Sequence, residues 1–306
     1  MSRKIFAGSL VTVATLAMTG CFSSSDFNPN DPLPGTPGAP QEQPGTRSGQ
    51  VMNNYLVGAT VCVDLNGNGT CDTGEPSNVS IANGAFSIST ENNTAPTFAR
   101  LGNDRLTAPA GAKVVTPITT LINARFQQLL ADTSSSTSGA HARAVKEAKD
   151  ALSIQDFDLL NGDYVAAASG LSSARKLSEI STVVNQIMKD ARSNITTSAG
   201  NQNITLTSAD DGALDFIVGR LAFENLGPVS NRVSTLVDTG QPVPVTQLAT
   251  ENAVDVTSTT NRLVTNLSRA KTSLEEAKDD LEAIGSDDET DGGTGGTGGT
   301  GGTGTN

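Results

Sequence analysis

Cys62–Glu75 reads CVDLNGNGTCDTGE, and the reading of the whole chain turns on it. Counted from Asp64 as position 1, side-chain oxygens recur at Asn66, Asn68, Asp72 and Glu75, with Gly69 at position 6 and Thr70 at position 7. Cys62 and Cys71 lie on either side of Asp64–Thr70. Ahead of the stretch, Ala59-Thr60-Val61-Cys62-Val63 is rich in β-branched residues and predicts a strand. Behind it, Pro76 ends the stretch and Asn78–Ile81 alternates as a second strand.

That spacing resembles a calcium loop of the EF-hand type. Such a loop draws oxygen ligands from positions 1, 3, 5, 7, 9 and 12 and needs Gly at 6 for a sharp turn. Asp64, Asn66, Asn68, the Thr70 carbonyl, Asp72 and Glu75 fill those places. A large, hard cation accepts many oxygens in a forgiving geometry, which favours Ca²⁺ over Mg²⁺. The plainer reading is an Asn/Gly/Asp turn between two strands, since those residues dominate turns. Six filled positions favour the calcium site. With strands rather than helices on both sides, it reads as a structural clip and not as a helix-loop-helix sensor.

The chain opens MSRKIFAGSLVTVATLAMTGC: two basic residues, an apolar run from Ile5 to Met18, then small residues before Cys21. This is the pattern of a secretory signal, too short for a membrane span. Met18-Thr19-Gly20-Cys21 resembles the bacterial lipobox, with Met in place of the more usual Leu. The resemblance implies a signal peptide over 1–20 and a lipid-modified Cys21 that anchors the chain to a membrane. Cleavage nearby by an ordinary signal peptidase is the alternative. Phe22, rather than Asp, follows Cys21, which on the same resemblance implies the outer membrane. With Cys21 lipidated, Cys62 and Cys71 remain as an even pair in an exported chain, where such pairs are oxidised. Closing so short a loop contributes roughly 2.5–3 kcal/mol in the chain-entropy model. Two buried free thiols are the alternative.

Residues 21–50 hold six of the thirteen prolines among Ser, Gly, Asn and Gln, and predict a tether. Residues 51–110 predict a small β-sandwich, with strands at Tyr55–Val57, Thr60–Asp64, Val79–Ile81, Ala85–Ser89 and Thr97–Leu101. Asn83-Gly84 is a hairpin signal. GATVCVDLNGNGTCDTGEPSNVSIANGAFSIS resembles the core of bacterial surface β-sandwich modules of the carboxypeptidase-regulatory-like and Sdr B types. The VVTPITTL segment that follows at Val114–Leu121 resembles Gram-negative lipoproteins of that layout. The likeness covers about a quarter of the chain and implies a stalk or scaffold rather than an activity.

From Thr116 the apolar period becomes helical, with Thr116 as N-cap, Pro117 at the first helical position, and Ile118, Leu121, Ile122, Leu129 and Leu130 on one face. Residues 111–285 therefore predict an all-α bundle, with further helices at Ala140–Leu152, Ser172–Ser193, Ser208–Asn225 and Val229–Val237. A heptad stripe from Ala253 to Ile284 reads as a strut of that bundle or as a self-associating coiled coil. The acidic run and GGT repeats of residues 286–306 read as a disordered tail. The fold class expected is α+β.

The chain carries 20 basic and 32 acidic residues, a net charge of −12, or near −14 without Arg3 and Lys4. Nucleic acid and anionic headgroups are poor partners for such a surface. The absence of Trp disfavours saccharide platforms. His141, the one histidine, is expected to face solvent, and no GxSxG accompanies it. Carboxylates cluster at Asp156, Asp158 and Asp163, and at Asp210 and Asp211; the latter pair reads as an acidic first turn. A non-catalytic, lipid-anchored scaffold or binding module with an unidentified protein or surface partner is the favoured reading. An exported enzyme, or an accessory subunit of one, with a carboxylate site among the helices is the rival.

Overall fold

Seven strands come first and the helices follow, in a computed structural model that describes residues 45–92, 94–131, 136–201 and 203–252. The signal segment, Cys21, most of the tether, the heptad stripe and the tail lie outside the described residues. Strand β2 (Thr60–Val63) pairs antiparallel with β3 (Ser77–Val79) and with β5 (Thr97–Leu101). β5 pairs in turn with β6 (Asp104–Ala108), so one sheet has the order β3-β2-β5-β6. The other sheet has β1 (Thr46–Val51) at its centre, antiparallel to β4 (Ala85–Ser89) and parallel to β7 (Val114–Val115).

Alternation in β4 turns Phe86 and Ile88 inward, into one apolar cluster with Val61, Val63, Ala99 and Leu106 of the other sheet. The same apolar cluster runs on without a break into the helices through Ile118, Leu121, Ile180, Ile217 and Leu221. The protein is α+β, strands then helices, and the two parts share one core.

Helix α1 (Pro117–Ala131) is the pivot, because residues 117–124 are buried on every side. Thr116 caps it as the sequence suggests: its Oγ1 accepts the Thr119 N–H at 3.0 Å. The Thr119 hydroxyl donates to the Thr107 carbonyl of β6 at 2.9 Å, and the Thr107 N–H donates to Thr120 Oγ1 at 2.9 Å. Threonines thus satisfy the helix start and a sheet edge together. Leu130, expected on the apolar face, is exposed.

Against α1 pack α2 (Thr137–Leu152), α4 (Ser172–Asn201) and α5 (Asp211–Glu224); the single turn α3 (Tyr164–Ala167) packs on α4, and α6 (Leu226–Asp238) on α4 and α2. Residues 245–252 begin another helix, with Leu248 and Ala249 buried. The wholly buried Tyr164 joins the two parts, its hydroxyl lying 3.2 Å from the Met52 carbonyl and 2.9 Å from Ser181 Oγ.

Several expectations change. β1 forms in residues that read as tether. TRSGQV shows only one apolar residue, yet a central strand is held by backbone bonds to both neighbours, which side-chain pattern does not reveal. Tyr55–Val57 forms only a bridge from Tyr55 to Met52, and Val57 is exposed. β3 sits two residues earlier than expected, leaving Ile81 exposed. The Asn83-Gly84 turn has its left-handed Asn83 (φ 57°), but it hands the chain from one sheet to the other, since β4 pairs with β1. His141 is half-buried with its ring edge-on to Phe126, because α2 lays that face against α1.

Arg47 shows how firmly β1 is built in. Its buried guanidinium donates to the Ala95 carbonyl at 2.8 Å, to Thr97 Oγ1 at 3.0 Å and to the Asn92 carbonyl at 3.2 Å. Arg47→Ala orphans these acceptors, so we expect a loss of about 2 kcal/mol in urea unfolding, against under about 0.5 kcal/mol for an arginine on a solvated tether.

Candidate functional site

The loop from Asp64 to Glu75 folds around the Asp64 carboxylate, which is 3% exposed. One oxygen of Asp64 accepts the Gly67 N–H at 2.7 Å and the Asn68 N–H at 3.1 Å; the other accepts the Gly69 N–H at 2.9 Å. Asn66 Oδ1 accepts the Asn68 N–H, and Asn68 Oδ1 accepts the Thr70 N–H, so each amide turns the chain toward the next donor. Gly69 has φ 67°, the left-handed turn that position 6 requires. The Glu75 carboxylate reaches back to accept the Leu65 N–H at 2.7 Å and the Asp72 N–H at 3.0 Å, closing the loop. Asp72, exposed, accepts amide N–H groups from Asn66 at 3.0 Å and Asn68 at 2.6 Å. The Cys62–Cys71 disulfide is formed, with Cα atoms 5.6 Å apart, and ties β2 to the far side of the loop.

The electrostatics of Asp64 are those of a carboxylate short of a cation. Burial pushes its pKa up, three backbone N–H groups pull it down, and the nearby Glu75 charge pushes it up again. No lysine or arginine pairs with it among the described residues. The donor set fits a hard cation: three carboxylates, two amide oxygens and one peptide carbonyl, with the deepest carboxylate uncompensated. Among the described residues no three His, Cys, Asp or Glu side chains converge on one point; Asp64 lies inside the loop, whereas Asp72 and Glu75 are engaged along its rim.

The sequence gives no hint of what stands behind the loop. Arg105 of β6 donates to the Gly69 carbonyl and, through Nε, to Asp215 at 2.9 Å. Its guanidinium also lies 3.4 Å from Asp211 and 5.0 Å from the centre of the Phe98 ring. Arg192 of α4 pairs with both Asp211 and Asp215. Two arginines and two aspartates thus form a closed square that fastens the loop to the first turn of α5. Burial pushes Asp215 up to about 6, even though both guanidiniums oppose the shift. Gly212 lets the two backbones touch: a Cβ there would lie 2.5 Å from the Asn68 carbonyl oxygen. A cavity of about 20 Å³ remains at this seam between Asp64, Thr107, Asn123 and Asp215, room for about one water molecule.

The other carboxylates are occupied separately. Asp156 accepts from Ser173; Asp158 closes the turn at Leu160–Asn161. Asp163 caps α3 and accepts the Tyr55 hydroxyl at 2.6 Å, and burial with that contact raises Tyr55 to about 12. Asp210 forms a capping box with Thr207, whereas Asp211, expected as a mere first-turn acid, belongs to the ion square. Charge alternation cannot reveal the square, because Arg105 and Asp215 stand 110 residues apart. No family model, curated protein or solved structure matches the chain.

Gly→Ala in a helix normally stabilises by up to about 1 kcal/mol. At Gly212 we expect the opposite sign, a loss of about 1–3 kcal/mol by chemical denaturation, since the new methyl group pushes the loop off α5. Asp215 titrates higher folded than unfolded, so the folded state holds its proton longer. Its contribution to stability is therefore greatest below about pH 4 and falls as pH rises towards 6. In calcium-free buffer the stability of the wild type relative to Asp215→Asn should decline across that window and level off above it; a difference that is flat with pH contradicts the assignment.

Proposed function

We propose that this chain is a non-catalytic, lipid-anchored protein of a bacterial cell envelope, in which a calcium-clipped β-module and a helical part form one rigid scaffold that presents a binding surface. The observation that carries it is the buried Asp64 carboxylate, held by three backbone N–H groups at the head of a stretch with calcium-loop spacing and without a cationic partner among the described residues. Asp64, Asn66, Asn68, the Thr70 carbonyl, Asp72 and Glu75 would hold the ion. Bound there, Ca²⁺ supplies two positive charges to a loop whose three carboxylates otherwise repel one another. It does no chemistry on a substrate. The loop backbone meets α5, so whatever stiffens the loop also stiffens the helical part.

The rest of the reading comes from the sequence. Lipid on Cys21 attaches the chain to the outer membrane, and the Pro-rich segment gives reach from it. An extracytoplasmic setting is consistent with the Cys62–Cys71 disulfide. The partner is a protein or surface ligand rather than nucleic acid, in keeping with the net charge of −12.

Two measurements test this. Unfolding in millimolar Ca²⁺ should exceed that in chelator by about 2.7 kcal/mol at a hundredfold excess over the dissociation constant, and Asp64→Asn should abolish the difference. Identical melts would reduce the loop to a turn. Separately, metabolic labelling with a fatty acid should mark the wild type and not Cys21→Ser; equal labelling of both would remove the anchor.

A further inference from the structure

A cleft of about 360 Å³ opens between the β5–β6 turn and the second half of α4. Arg100, Arg105, Lys189 and Arg192 line it, with the hydroxyl residues Ser193 and Thr197 beside them and Asp211 as the one acidic residue of its wall. In a chain of net charge −12, four cations facing one cavity is a concentration that composition does not predict.

The four are held differently. Arg105 and Arg192 are fixed from the protein side by Asp211 and Asp215, and their side chains are only 8% and 21% exposed. Lys189 is steadied by Asp104 at 2.7 Å, itself gripped by the Asn185 amide at 2.6 Å. Arg100 is exposed and has no carboxylate partner among the described residues. Burial is the main reason the Arg192 guanidinium is held below its ordinary pKa; the neighbouring Arg105 and Arg100 charges push the same way, and Asp215 and Asp211 oppose them. Asp215 compensates Arg105 and Arg192 from behind, while Asp211 pairs with them from the cleft wall. Arg100, in the lining and without a carboxylate partner among the described residues, leaves its guanidinium fork available to an anion, and such a fork matches the geometry of tetrahedral oxyanions.

We propose that this cleft binds a small soluble molecule through a phosphate or diphosphate group. Arg100 and Lys189 grip the anion at the mouth, Arg192 and Arg105 face it from within, and the hydroxyls of Ser193 and Thr197 supply further donors. The cleft exceeds a bare phosphate and falls at the low end of small-molecule sites, roughly 300–1,000 Å³. The acidic surface elsewhere does not forbid the interaction, because charges farther than about 8 Å are screened at physiological ionic strength. It does disfavour long polyanions, which must cross that surface.

Titration calorimetry of the full chain with sodium pyrophosphate tests this, in calcium-free buffer because diphosphate chelates calcium. One saturable site is expected, with a dissociation constant below about 1 mM and an affinity that falls as chloride is added. Arg100→Gln and Lys189→Gln, both outside the metal loop and the ion square, should each weaken it about tenfold while leaving the melting temperature unchanged. Absence of saturable heat up to about 10 mM, or wild-type affinity in either variant, overturns the proposal. Calcium-dependent stability is read separately, so either result leaves the calcium assignment standing or falling on its own test.

Discussion

The Arg105 guanidinium is the point through which strands and helices hold each other. It leaves β6, stacks over Phe98, donates to the Gly69 carbonyl and meets Asp211 and Asp215 on α5. A cation so enclosed is tolerated only because every side is met: an aromatic face, a peptide oxygen and two carboxylates. Removing one partner would leave a buried charge unpaired, at a cost of about 3–5 kcal/mol. The geometry of loop, sheet and helix is therefore set at one place, and the Asp64–Glu75 loop inherits its position from it.

The loop is fastened three times over. The disulfide holds one edge to β2, Glu75 closes the other by two backbone bonds, and Gly212 lets α5 support it from beneath. What stays unsatisfied is charge, not hydrogen bonding, since Asp64 has three N–H donors and, among the described residues, no lysine or arginine partner. Organisation of this kind lowers the ordering cost of binding an ion, because the loop does not need to fold around it. The basic cleft on the other side of the ion square uses the same two arginines, so one buried network lies behind two chemically opposite surfaces.

Features that depend on neighbours in sequence were legible. The strand, turn and strand around Cys62–Glu75, the Thr116 cap with Pro117, and the helices α2, α4, α5 and α6 follow from spacing within a few residues, whereas the single turn α3 was not legible. Features made by distant contacts were not. β1 is polar in sequence and central in space, and it takes its stability from two neighbouring backbones. The ion square joins β6, α4 and α5, where each residue alone reads as an ordinary surface charge. Arg47 misleads in the same way: it reads as tether chemistry, yet it closes the space beneath Ala95 and Thr97. Even the division into a β-module and a separate bundle rests on the change of period at Thr116, while side chains from both parts fill one core.

Hydrogen exchange resolved along the chain, in chelator and in saturating Ca²⁺, tests most directly whether the loop and the helical part act as one clipped unit. The account predicts that calcium slows exchange at the amides of residues 66–72 and, through the Arg105 junction, at those of residues 212–222 as well. Protection confined to the loop, or unchanged everywhere, would contradict it.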